Sequence, residues 1–303
     1  ESSQNGNVPL EIAYLTGGLN WKADYNIVAQ DDNDKVNLSG WVTFSNNSGK
    51  NFAQAVVKLM AGDVNKVQPT PQFHAKAMVL AEMAAPAPAV TQQDFDEYHL
   101  YSLQRKLDLQ DGETKQVEFL NASAVTAKKL FVYDGAAIEE HYRYQSPENI
   151  RNDPEYGTRS NRKVWIMREF KNEKANQLGI PLPKGRVRFY QQGDDQQLEF
   201  IGENNIDHTP ANETVRLYTG NAFDIVGERE RLDYQINTQE RWIRESFRIK
   251  LKNRKKEKAS VTAVEHLYRW SQWAIETSSQ DFVKKEANTV EFTAELKPDE
   301  EKE

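Results

Sequence analysis

The sequence is that of an all-β protein, with two antiparallel β-sandwich domains of immunoglobulin-like character and one Ala/Pro-rich insertion. In Trp21–Ile27 the residues Trp21, Ala23, Tyr25 and Ile27 alternate with Lys22, Asp24 and Asn26, the period-two pattern of a strand with one buried face. Runs of this kind recur to the end of the chain, separated by turns rich in Gly, Asn and Asp. Only 38% of the 303 residues are hydrophobic while 28% are charged, which suits sandwiches because every second strand residue faces water.

Taken in order, strands are expected at 9–15 and 21–29, joined at Gly17-Gly18, and then at 36–46 and 53–62. Asn46-Asn47-Ser48-Gly49-Lys50 is built from residues that tolerate positive φ, and it should join Gly40–Phe44 to Ala55–Leu59 as a hairpin. Composition shifts from 68 to 96, where Ala and Pro dominate. The strong helix formers of His74–Ala85 predict one helix, stopped by the Pro-Ala run that follows. This segment reads as an insertion between two strands, either a plain loop or a helix that docks a partner. Strand patterning resumes at 97–103, 114–120, 124–133 and 139–144. The polar, turn-rich stretch 145–157 then divides the chain into domains 1–150 and 158–303. The second half offers strands at 162–171, 185–191, 197–203, 213–218, 222–227, 229–236, 241–252, 259–267 and 288–295, with Asp194-Asp195 in a hairpin turn.

One internal echo stands out. Phe44-Ser45-Asn46, Phe170-Lys171-Asn172 and Leu251-Lys252-Asn253 each close an alternating strand with an apolar residue, a spacer and Asn, followed by a polar turn. One kind of turn is thus expected at the same place in successive units.

The composition excludes several classes. The formal charge of -7, from 46 acids against 39 bases, disfavours nucleic acid. With no cysteine there are no disulfides, no thiol catalysis and no thiolate metal site. No apolar run approaches the roughly 20 residues of a membrane helix. Glu1–Asn7 is not a signal peptide and reads as a mature or excised start.

Tyr14–Tyr25, Gly40-Trp41-Val42, Leu59–Asn65, Glu97–Tyr101, Phe200–Glu203, Ile206–Pro210 and Phe223–Arg229 together resemble the bacterial family called domain of unknown function 4139, whose members are often labelled mucoidy-inhibitor-like. The resemblance spans nearly the whole chain. It implies a β-rich, exported protein with no agreed activity and supplies no catalytic residues. The chain departs from the family pattern at both ends. The usual N-terminal region with coiled coil is missing. Where members continue past Leu296 into a further apolar strand, this chain reads Lys297-Pro298-Asp299-Glu300-Glu301-Lys302-Glu303. Either this is an excised domain or the last strand comes from elsewhere; if that strand is absent, a sheet edge is open and invites another chain to pair.

Candidate chemistry is sparse. None of His74, His99, His141, His208 and His266 stands in a metal-binding pattern, and in Glu139-Glu140-His141 and Glu265-His266 strand neighbours point to opposite faces. Asp31-Asp32-Asn33-Asp34 hints at a calcium loop, but Val36 and Asn37 stand where an oxygen ligand and glycine belong, so a solvated turn is the better reading. No nucleophile elbow or phosphate loop is present, so no catalytic residues, metal or cofactor are expected. The aromatic cluster Tyr268–Trp273 is the most suggestive feature. Trp270 and Trp273 beside Arg269 are the candidate binding residues, a platform for sugar rings or a protein, unless one Trp fills the core and the other caps it.

The expected function is a non-enzymatic structural or protein-interaction module of the bacterial envelope or exterior, periplasmic, surface-bound or secreted. Its partners would be other proteins or copies of itself. The alternatives are a carbohydrate-binding module and, last, a hydrolase with a site between the two domains.

Overall fold

The structure, a computed structural model, describes residues 11–29, 34–62, 90–95, 98–103, 106–193 and 195–303. The helix expected at His74–Ala85 and the turn residues Asp31–Asn33 lie outside these. The described residues are mostly strands. They form an open, mixed sheet of twelve strands with two small sheets beside it.

β1 (Leu19–Ala29) and β2 (Lys35–Asn46) form the first hairpin, with Leu19 opposite Asn46 and Ala29 opposite Val36. β3 (Phe52–Ala55) and β4 (Lys58–Ala61) follow, then β5 (Val90–Phe95), β6 (Tyr98–Leu103) and β7 (Leu107–Leu109). β8 (Thr114–Asp134) is 21 residues long. Its first half pairs with β2, and its second half pairs with β9 (Lys163–Lys171). Between β8 and β9 lie a 3-10 helix at Glu140–Tyr144 and α1 (Pro147–Asn152), so the stretch expected as a strand at 139–144 is helical instead.

β10 (Gly185–Gln192) and β11 (Leu198–Ile206) form a hairpin with Asp195 at its turn. β12 (Thr214–Asn237), at 24 residues, repeats the behaviour of β8. It leaves β9 and continues beside β13 (Trp242–Asn253). β14 (Ala259–His266), β15 (Val283–Glu286), β16 (Thr289–Leu296) and β17 (Glu301–Lys302) complete the chain.

Four further expectations need correction. The sheet is mixed, because β10 runs parallel to β1 and β14 runs parallel to β8. Gly40–Phe44 does not form a hairpin with Ala55–Leu59. β2 already has β1 on one side and β8 on the other, so the chain after Asn46 turns away to pair as β3 with β7 and β4 with β6. Glu11–Leu15 form no strand. Finally, the separate strands read at 114–133 and 213–236 are two long ones. Bulges at Phe119 and Thr219 let each strand re-aim its side chains without ending.

The long strands exist because one unit is used repeatedly. Asn46, Asn172 and Asn253 are each fully buried at the end of β2, β9 and β13. The Asn46 amide donates to the carbonyls of Lys50, Leu109 and Gln110. Asn172 donates to Ile180, Thr209 and Pro210, and Asn253 to Glu257, Leu296 and Lys297. Their side-chain oxygens accept from the backbone N–H of Ser48, Gly179 and Lys255. Each Asn N–H also bonds to a glutamate carbonyl, of Glu113, Glu213 or Glu300. The residue before each glutamate, Gly112, Asn212 or Asp299, has positive φ. Each such turn launches a strand, namely β8, β12 and β17.

Each unit also has its own core. The first joins Val42 and Phe44 to Leu59, Tyr101, Leu109 and Val117. The second joins Tyr25, Leu38, Phe170, Val187, Phe189, Val215 and Leu217. The third joins Tyr133, Val164, Ile225, Leu251, Val261 and Leu296. Phe44, Phe170 and Leu251, two residues before each Asn, take the same place in the three.

Candidate functional site

The same unit recurs three times. After the first Asn turn, Thr114 pairs with Ser45 and the ladder runs the length of β2. After the second, Thr214 pairs with Lys171 and the ladder covers β9. After the third, Glu301 pairs with Lys252 and Lys302 with Leu251, in the same register, and the pairing stops there. Beyond these two pairs the described residues place nothing on the outer edge of β13 from Trp242 to Lys250, while its inner edge is bonded to β12.

The cores differ in detail. In the first two units Val117 and Leu217, from the launched strand, are 4% exposed. In the third, Ile249, four residues before Asn253, is half-buried, whereas its equivalent Val42 is buried. Glu228, Glu230, Arg248, Lys250 and Glu303 line a shallow charged groove of about 330 Å³ at this edge.

Arginines stiffen the region around it. Arg229 on β12 is buried and bidentate to Glu265, at 2.7 Å for both bonds; it donates to the Gly157 carbonyl and lies 4.0 Å from the centre of the Phe247 ring. Its charge is fully partnered, as a buried guanidinium requires. Nothing in the sequence flags this pair, whose members lie 36 residues apart.

The structure places the sequence-derived candidates on the loop after β14. Arg269 is bidentate to Glu245 at 2.8 and 2.9 Å and donates to the carbonyls of Ile150, Asp153 and Tyr156. It therefore clamps the segment 150–156 onto β13. Trp270 is 44% exposed, with the Arg151 guanidinium 5.7 Å from its ring centre. The Trp273 indole donates to the Ala287 carbonyl at 2.9 Å, and Lys284 lies over its ring at 4.8 Å. The three residues are neighbours in the chain, but they do not converge on a common pocket.

The described histidines are dispersed. His266 lies 3.0 Å from Asp134 and stacks on Tyr268, while its neighbour Glu265 faces Arg229, so the two point to opposite faces as expected. His141 lies 3.1 Å from Glu139. Among the described residues no three His, Asp or Glu side chains gather to hold a metal ion. No helix there is long and apolar enough to cross a membrane.

The model of the family described as Domain of unknown function (DUF4139) matches residues 10–303, nearly the whole chain. The chain belongs to the DUF4139 family. None of the curated proteins matches it. The buried asparagines and the three launched strands thus all lie inside the DUF4139 match.

Proposed function

We propose that this DUF4139 chain is a non-enzymatic structural and protein-interaction module of the bacterial envelope or exterior. The observation that carries this reading is the unit used three times, in which Asn46, Asn172 and Asn253 each close one strand and bond the turn that launches the next, a scaffold built by repetition. The material of the module is a row of sandwich units of immunoglobulin-like character that share their long strands. The envelope location rests on the family resemblance alone, and cell fractionation tests it.

Light scattering of the purified chain over a wide concentration range, with cross-linking to envelope proteins, tests the interaction. A mass that rises with concentration, or a specific cross-linked partner, supports the reading. A strict monomer that cross-links to nothing would sink it.

A second reading keeps Trp270 and Trp273 as a glycan platform, supported by the half-exposed Trp270 ring. Retention on immobilised glycans that is lost in the double alanine variant, with the fold intact, would favour it.

A further inference from the structure

Beside the third Asn turn the chain carries a phenyl ring that the fold does not use. The register of β12 on β9 shifts between Asn221 and Val226, and Phe223 stands in that irregular stretch, 94% exposed. The backbone there is held in place. Ile225 opposes Asn253, and the Arg254 N–H donates to the Asp224 carbonyl at 2.7 Å. The first unit makes the same bond at the same length, from the Asn47 N–H to the Gly18 carbonyl, with Leu19 opposite Asn46. Gly17 therefore takes the place of Phe223 in that unit, and a Cβ on Gly17 would meet nothing within 4 Å. The unit forms without any side chain at this position, so packing does not account for the Phe223 ring.

The turn that Asp224 bonds is Arg254-Lys255-Lys256-Glu257-Lys258, four cations and one carboxylate. Arg254 pairs with Glu301 and Lys255 with Glu257. Lys256 and Lys258 are exposed, and neither forms an ion pair among the described residues. The positive patch extends to β8, since Lys255 Nζ and Lys129 Nζ lie 5.3 and 5.6 Å from the centre of the same Phe131 ring. Burial, together with the Arg168 and Lys255 charges, pulls the Lys129 pKa below its ordinary value, and Glu257 opposes that shift only in part. The formal charge of -7 does not decide what meets this patch, because charges more than about 8 Å away are largely screened at physiological ionic strength. The cations beside the ring are mostly lysines, which protein–protein interfaces avoid. Long ammonium side chains around a projecting ring suit a surface of mobile phosphates above an apolar layer.

We propose that Phe223 and the turn Arg254–Lys258 dock this chain on the surface of an anionic phospholipid bilayer. The ring enters the boundary between headgroups and acyl chains, and Lys256 and Lys258 meet the lipid phosphates. The contact is peripheral and reversible, because one ring and a few lysines make a weak anchor. It goes beyond the protein-interaction reading and is tested apart from it.

Co-sedimentation of the chain with vesicles of phosphatidylglycerol and phosphatidylethanolamine in equal parts tests this, with phosphatidylcholine vesicles as the neutral control. Binding should appear on the anionic vesicles alone and weaken as salt is raised. Phe223→Ala should lower the partition coefficient about tenfold. The double variant Lys256→Gln/Lys258→Gln should lower it about thirtyfold, at about fivefold for each lysine near the surface. Both should keep the thermal midpoint, since all three side chains are exposed. No binding to the anionic vesicles, equal binding to the neutral ones, or binding that either variant leaves unchanged would each overturn the proposal. Loss of a cross-linked protein partner in Phe223→Ala, with no vesicle binding by the unaltered chain, would overturn it and assign the ring to a protein pocket, leaving the protein-interaction reading standing.

Discussion

Replacing Asn172 by alanine probes the device that closes each unit. The Asn172 amide donates at 2.8 Å to the carbonyls of Ile180 and Pro210, and its oxygen accepts from the Gly179 N–H at 3.0 Å, all with the side chain fully buried. Alanine leaves these three buried backbone groups without the partner that the side chain supplies. A net hydrogen bond is worth about 1 kcal/mol, and a stranded buried group costs about 1–3 kcal/mol, so Asn172→Ala should cost about 3–5 kcal/mol. Asn172→Asp has nearly the same shape but turns a carboxylate oxygen toward the carbonyls. At neutral pH it should be at least as damaging as alanine. Burial and those carbonyls raise the new carboxyl's pKa, so its folded form holds the proton more tightly. The part of its stability that depends on that proton is present at acid pH and lost as pH rises through the raised value. Urea unfolding followed by tryptophan fluorescence measures both variants across pH. An Asn172→Ala loss below about 1 kcal/mol, the size of an ordinary substitution, or an Asn172→Asp variant most stable at neutral pH, would refute the reasoning.

Three further outcomes follow from the same geometry. Glu265→Gln strands the buried Arg229 guanidinium and should cost about 3 kcal/mol or more, while the double variant Arg229→Met/Glu265→Leu should recover most of it in the same urea assay. Tyr25, Tyr101 and Tyr133 are buried and donate to the carbonyls of Pro183, Pro181 and Asn161; burial raises all three pKa values, that of Tyr133 to about 12. Their folded forms hold the proton more tightly than the unfolded chain, so stability is intact below about pH 10 and falls above it by about 1.4 kcal/mol per pH unit per tyrosine. Tyr133→Phe should flatten that decline, and an unchanged slope would contradict it. Arg269→Lys cannot reproduce the bidentate bond to Glu245 together with the donations to the Ile150, Asp153 and Tyr156 carbonyls, so limited proteolysis should cut faster within 147–158. An unchanged cleavage pattern would count against the clamp.

Much of this architecture was legible in the sequence. Alternation located β1, β2, β9, β10 and β14 to within two residues, because each has one buried face and one wet one. The echo at Asn46, Asn172 and Asn253 marked the repeat, since few residues can bond several backbone groups from one short side chain. What the echo could not show is that the turn bonding each Asn lies far along the chain, 63 residues away in the case of the Leu109 carbonyl. The alternation breaks at 121–123 and at 219–221 around Gly220, yet both stretches lie inside long strands that re-aim at bulges. The parallel pairings of β1 with β10 and of β8 with β14 join distant segments and leave no local pattern. The role of Arg269 was equally hidden, because Glu245 and the carbonyls it bonds come from strands and loops 24 to 119 residues away.

Hydrogen exchange at the buried asparagines tests the repeated unit most directly. The backbone amides of Asn46, Asn172 and Asn253, each bonded to a glutamate carbonyl, should exchange orders of magnitude more slowly than exposed loop amides, and Asn172→Ala should speed the Gly179 amide that its side chain holds. Amides at the three asparagines that exchange as fast as those of exposed loops would contradict the account.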